Sequence, residues 1–203
     1  MQATGSRSGH MRRFLREFWI RPQMVGAVAP SSRALALRML EGLELESARA
    51  VVEFGPGTGS VTEQVIPKLG RGTRFVAIER SPEMAAVMQD RFPSVRLYED
   101  SAGNVEEICR REGIEPGTVD CIISGLPFAA FPPALQVEII DAALRVLSPG
   151  GRFVTFAYYV AHLKSAGRSF RKLLEEKFQH VDRSRGVLLN TPPAFVYRCV
   201  KGC

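Results

Sequence analysis

At 203 residues, with 45% hydrophobic and 24% charged side chains, the chain has the composition of one ordinary globular domain with a sizeable core. It has no run of 18 apolar residues and no secretory apolar region, which excludes a spanning helix and a signal peptide; its four cysteines (Cys109, Cys121, Cys199, Cys203) form no C-x-x-C pair, which argues against a zinc site or disulfide framework and for buried thiols in a reducing compartment. The net charge of +6 is concentrated in residues 1–40, where seven arginines face a single Glu17, and such a basic end suits a polyanionic partner, nucleic acid or an anionic membrane.

Residues 1–10 are small and polar, either an unstructured start or a non-native extension ahead of Met11. "MRRFLREFWIR" (11–21) spaces Phe14, Leu15, Phe18 and Trp19 as one face of an amphipathic helix whose other face is basic. Ser31 or Ser32 is placed to cap a second helix running to Leu43. Residues 1–45 thus read as a helical extension and 46–203 as the main domain. From residue 50, short β-branched or aromatic runs (50–54, 74–79, 95–98, 119–124, 152–159) alternate with helical spacing (60–69, 82–91, 103–112, 133–147). That alternation predicts right-handed βαβ crossovers and a parallel sheet covered on both faces. A basic helix over 167–177 and two strand-like runs, near 181–189 and at 194–200, close the sheet as a hairpin-like edge.

The first strand runs into "EFGPGTG" (53–59), where Gly55, Gly57 and Gly59 precede a predicted helix. Glycines there permit positive φ and close approach of a ligand to the helix N-terminus; the plain alternative is a tight strand-to-helix turn. The second strand ends in Glu79, and Asp100 lies just past the third. Each alone reads as a solvated strand-end charge. Together they place three ligand-suited groups on the carboxyl edge of one sheet, where open α/β folds bind nucleosides.

With "VVEFGPGTG", "AIE" at 77–79, the acidic turn at 98–100 and a Pro-aromatic loop after strand four, residues 50–200 resemble the class I S-adenosylmethionine-dependent methyltransferases. The resemblance implies their Rossmann-like α/β fold, a mostly parallel sheet with helices on both faces and a C-terminal antiparallel edge. It also implies S-adenosylmethionine as cofactor and S-adenosylhomocysteine as product. Gly55, Gly57, Thr58 and Gly59 would pass under the methionine and ribose, Glu79 and Arg80 would flank the ribose, Asp100 and Ser101 the adenine, and Glu53 the amino-acid end.

The loop after strand four, "SGLPF" (124–128), lacks the asparagine of the N-L-P-[YF] stretch of rRNA adenine dimethylases, and the chain stops after the last strand without their helical C-terminal domain. "PSSRALALRM" (30–39), "SGLPFAAFP" (124–132), "FAYY" (156–159) and "NTPPAFVY" (190–197) instead resemble the bacterial phospholipid N-methyltransferases, which methylate phosphatidylethanolamine towards phosphatidylcholine. That resemblance implies a lipid amine as acceptor, the inner membrane face as workplace, and neither nucleic acid nor metal as partner. Ser124, Gly125 and Leu126 would direct the amine lone pair with Tyr158 at the transfer centre, and Trp19, Phe128, Phe131, Tyr159 and Asn190 would line the acceptor side. Aromatic faces suit a product amine that has lost its N–H donors. For Phe131 and Tyr158 the plain alternative is core packing. His10, His162 and His180 read as solvated or core histidines. The competing functions are an RNA or small-amine methyltransferase, and a non-catalytic cofactor-binding membrane adaptor.

Overall fold

The computed structural model of the protein describes residues 31–162 and 165–203. The amphipathic helix expected over 11–21, with Trp19, lies outside them. The described chain forms a seven-stranded sheet of β1 (Ala50–Phe54), β2 (Arg74–Glu79), β3 (Arg96–Glu99), β4 (Val119–Ser124), β5 (Leu147–Tyr158), β6 (His180–Arg183) and β7 (Ala194–Val200), in the order β3-β2-β1-β4-β5-β7-β6. Strands β1 to β5 are parallel, whereas β7 runs antiparallel to both β5 and β6. The parallel sheet follows the strand–helix alternation, and the whole is the Rossmann-like architecture that the resemblance to class I methyltransferases implies. β7, "AFVYRCV", is almost wholly buried and sits inside the sheet, while the polar "HVDR" of β6 takes the edge. Charge on an edge strand discourages pairing with another chain.

Seven helices lie around the sheet among the described residues: α1 (Arg33–Leu40), α2 (Thr62–Val65), α3 (Pro82–Arg91), α4 (Val105–Arg111), α5 (Pro133–Val146), α6 (Tyr159–His162) and α7 (Ser165–Lys177). Ser32 caps α1, accepting from the Leu35 N–H, and the helix stops short of Leu43 because the chain turns at Gly42, φ +73°. Pro67 has no N–H to continue α2, and a 3-10 turn over Ile66–Lys68 follows instead. α5 buries Leu135, Ile139, Ile140, Ala143 and Val146, the i, i+4, i+8 face of a helix. It joins α4 and α7 over Val52, Phe54, Ile122 and Phe153 on one side of the sheet. On the other side α1 and α2 cover Val51, Ile123 and Val154, and Met88 of α3 covers Ala77.

Both faces of the central strands are therefore dry. Of the cysteines, Cys109, Cys121 and Cys199 are buried and Cys203 is exposed; burial pushes the Cys121 thiol up to about 12, so it stays protonated. Strand order reverses between β1 and β4, and a crevice opens at that point beyond the carboxyl ends of the strands.

Candidate active site

Two loops meet in the crevice. The first leaves β1 at Gly55 (φ +62°), the second leaves β4 at Gly125, and the Gly125 N–H donates to the Phe54 carbonyl at 2.8 Å. A Cβ on Gly125 would lie 2.5 Å from the Gly55 carbonyl oxygen, and one on Gly55 would lie 2.6 Å from Leu126 Cδ2. Backbone blocks any side chain at Gly125, while at Gly55 the positive φ disfavours one and a Cβ would have to displace the Leu126 side chain, so the glycines let the two backbones lock together. Gly59, further along, packs against the Phe92 ring.

Acidic groups line up behind the first loop. Glu79 is buried, and accepts from Gly57 N–H at 3.0 Å and Ser81 N–H at 2.9 Å. The carboxylate thereby shapes the glycine loop that it borders. Glu53 is buried one strand away, with the Thr62 hydroxyl donating to it at 2.7 Å. Burial raises the Glu53 carboxyl to about 8, and the nearby Glu79 charge adds to that; burial raises Glu79 as well. Asp100 accepts from Ser101 N–H and Asn104 Nδ2, both at 2.7 Å, which fixes the turn after β3. Thr58 takes part through its carbonyl, which accepts from the Arg91 guanidinium.

A cavity of about 500 Å³ lies against these groups. Glu79, Arg80 and Asp100 line its polar side, and Leu126, Phe131 and Leu135 line its apolar side. The size is ordinary for a small-molecule site. S-adenosylmethionine fits this donor set: the carboxylates of Glu79 and Asp100 for ribose hydroxyls and adenine amine, and apolar walls for the base; Glu53 and the glycine loop (Gly55, Gly57, Thr58, Gly59) lie behind Glu79 and are not among the residues that line the cavity.

The loop beyond β4 is held rigid by a residue that the sequence reading missed. Gln136, buried on α5, donates from Nε2 to the carbonyls of Phe128 (2.8 Å) and Phe131 (3.0 Å), clamping the 3-10 turn Phe128–Ala130. Its signal was an amide on the apolar face of a helix. Phe128 is 1% exposed and stacks on Phe170 with centroids 4.5 Å apart, so its ring is packed into the core, from where it also lines the cleft that Tyr158 borders. Ser124 is wholly buried, and its hydroxyl accepts from Leu126 N–H, so it supports the loop from behind. Asn190, also expected on the acceptor side, is 2% exposed and bound to backbone at both ends, accepting from Ser32 N–H and donating to the Pro192 carbonyl. Phe131 does face the cavity. Tyr158 shares a narrow cleft with Pro127 and Phe128, and burial pushes its phenol up to about 12. Tyr159 turns the other way, its ring edge-on to Phe195 at 5.2 Å.

Two outcomes test this geometry. Gln136→Ala removes the donor to the buried Phe131 carbonyl and one of the two donors to the Phe128 carbonyl, which keeps Phe131 N–H, and is expected to cost about 1–3 kcal/mol of stability in denaturant titrations. Loss of that size with unchanged cofactor affinity would locate its effect in the Pro-aromatic loop. Between pH 4.5 and about 8 the folded chain keeps a proton on Glu53 that the unfolded chain has released. The stability it contributes is complete below 4.5 and lost as pH rises towards about 8. Melting temperatures of the cofactor-free protein should fall across that window, and Glu53→Gln should reduce the slope, with the remainder coming from Glu79. An unaltered slope would assign the titration elsewhere.

Comparison with known proteins bears on the domain and its fold. The family described as "Methyltransferase domain" matches residues 51–151, which run from the glycine loop past the loop of β4. An ornithine lipid N-methyltransferase from Singulisphaera acidiphila is 29% identical, the match covering 81% of this chain and 97% of that protein. A ribosomal RNA small subunit methyltransferase A from Thermotoga maritima is 26% identical over 63% of this chain but only 43% of its own length. Among solved structures, the 1,6-didemethyltoxoflavin-N1-methyltransferase of Burkholderia thailandensis, with S-adenosylhomocysteine bound, superposes with a TM-score of 0.67 at 14% identity, covering 100% of this chain and 94% of that one. An O-methyltransferase from Bacillus cereus, also in complex with S-adenosylhomocysteine, gives 0.64 at 16%, covering 98% and 94%. The family match and the superpositions make residues 51–151 a methyltransferase domain with the class I S-adenosylmethionine-dependent fold.

Proposed function

We propose that the acceptor is the amine of a membrane lipid, phosphatidylethanolamine and its mono- and dimethylated forms, methylated towards phosphatidylcholine. The observation that carries this reading is the match, over 97% of its length, to an ornithine lipid N-methyltransferase. The rRNA enzyme is matched over less than half its length. That same lipid relative favours a second acceptor, the amine of ornithine lipid, which offers the same nucleophile on a different headgroup.

The residues present suit an amine. Bound S-adenosylmethionine supplies a methyl carbon activated by its sulfonium, so the chain's task is alignment. The acceptor nitrogen would have to present a free lone pair to that carbon, so the proton of its ammonium form would pass to water before transfer. Backbone carbonyls of Gly125 and Leu126, held by the interlocked glycines and by Ser124, accept from the amine N–H and aim its lone pair. Tyr158, a neutral phenol, contributes its ring beside Pro127 rather than a base. No helix among the described residues is long and apolar enough to cross a membrane. We assign lipid attachment partly to the basic segment 11–21, whose arginines would meet anionic headgroups at about 1 kcal/mol each.

Purified protein with labelled cofactor should methylate phosphatidylethanolamine or ornithine lipid in vesicles and leave RNA unlabelled; label in RNA alone would refute the proposal. Tyr158→Phe should retain most turnover and Tyr158→Ala lose most of it, while both keep cofactor affinity. Equal damage would give the hydroxyl the role assigned here to the ring. Deleting residues 1–21 should weaken flotation with anionic vesicles, and salt should weaken the binding of the intact chain by screening.

A further inference from the structure

The loop between β6 and β7 inverts the usual burial. Leu188 and Leu189 are 78% and 83% exposed, the most exposed large apolar side chains among the described residues, while Asn190 beside them is buried. The inversion is built in. Val187 and Ala194 bridge the base of the loop, with N–H to carbonyl distances of 2.7 and 3.3 Å. Asn190 ties the far side to Ser32 and Pro192. With base and flank fixed, the two leucines project as a tip and do not fold back.

The tip stands on the active-site edge of the sheet. Ala194 pairs with Tyr158 at the carboxyl end of β5, and Tyr159 N–H donates to the Pro193 carbonyl at 3.1 Å. Tyr159 also packs so closely on Gly186 that a Cβ there would lie 2.5 Å from the phenol oxygen. Val160, the next residue, is itself 60% exposed. The loop proper, residues 184–193, contains Arg185 and no carboxylate; Arg183 ends β6 beside Asp182 with its guanidinium 5.0 Å over the Phe195 ring, and all three charged residues are exposed.

We propose that this loop inserts into the lipid surface: Leu188 and Leu189 enter the acyl boundary, Arg183 and Arg185 meet anionic headgroups, and the edge bearing Tyr158 is seated on the membrane. The proposal rests on the lipid-amine reading for its purpose. Apolar tips with a basic collar gain both from leaving water and from the surface potential of an anionic leaflet. A second copy of the chain is a poor occupant. A stable dimer uses some 20–30 residues a side, and a two-fold contact at this tip would set the arginines of each copy near those of the other.

The test uses the full chain and vesicles of phosphatidylglycerol with phosphatidylethanolamine. Leu188→Asp/Leu189→Asp should lower partition into vesicles about tenfold or more, with melting temperature and cofactor affinity unchanged, and Leu188→Phe/Leu189→Phe should retain binding. Methylation should fall on vesicles yet persist on the same lipid dispersed in detergent micelles. Parental vesicle binding by the Asp variant overturns the proposal. So does a dimer that the variant dissociates, which would make a second copy the occupant, or faster proteolysis of residues 1–30 in the variant at unchanged vesicle binding, which would make that segment the cover. Failure to methylate any lipid amine even in micelles refutes the substrate reading instead, and leucine-dependent partition would then still stand for the loop.

Discussion

The steric lock between Gly55 and the Gly125–Leu126 pair governs everything around it. The amide of Gly125 reaches back to Phe54, a Cβ on Gly125 would strike the Gly55 carbonyl, and Gly55 itself holds a positive φ against Leu126. The lock sits where strand order reverses, so it joins the glycine loop held by Glu79 to the loop proposed to present the amine, whose Leu126 and Pro127 line the cavity. Two backbones held this closely cannot drift apart by the fraction of an ångström that misaligns a methyl transfer. Ser124 from below and Gln136 from the side then fix the second loop, with hydrogen bonds that satisfy buried backbone groups and leave few other arrangements open.

Electrostatics complete the cofactor side. Glu53 and Glu79 are buried close together, and burial opposes the charge of each. Such a pair is costly in the empty protein and becomes favourable beside a cationic ligand, because ionised carboxylates gain most from a nearby positive charge at low dielectric. The Glu79 carboxylate also receives the Gly57 and Ser81 amides, so the group that borders the cavity is held by the loop that shapes it.

The acceptor side is organised differently. Its rings divide: Phe128 stacks into the interior, Phe131 is buried edge-on to it yet also lines the cavity, and Tyr158 and Tyr159 diverge from adjacent positions on the rim. Adjacent residues at a strand end point to opposite faces, so one tyrosine lies by the Pro-aromatic loop and the other packs under the β6–β7 loop. The rim of the active site and the exposed Leu188–Leu189 tip are thus joined by one dipeptide.

What the sequence determined by itself was the alternation of strands and helices, the three glycines, and the acids at successive strand ends. These are local signals: a period of two or 3.6, a residue that admits positive φ, a charge at a strand terminus. The tertiary structure alone decided how the rings divide, because Phe128 and Phe131 are three residues apart in one motif and it is the position of α7 that stacks Phe170 on the first. It decided that Asn190 is a fastener to Ser32, a partner 158 residues away, and that Gln136 is a clamp on carbonyls. It also placed β7 inside β6, since the choice of edge strand depends on which neighbour can bury the more apolar run. Partners distant in sequence leave no local pattern, and burial is a property of the packed chain.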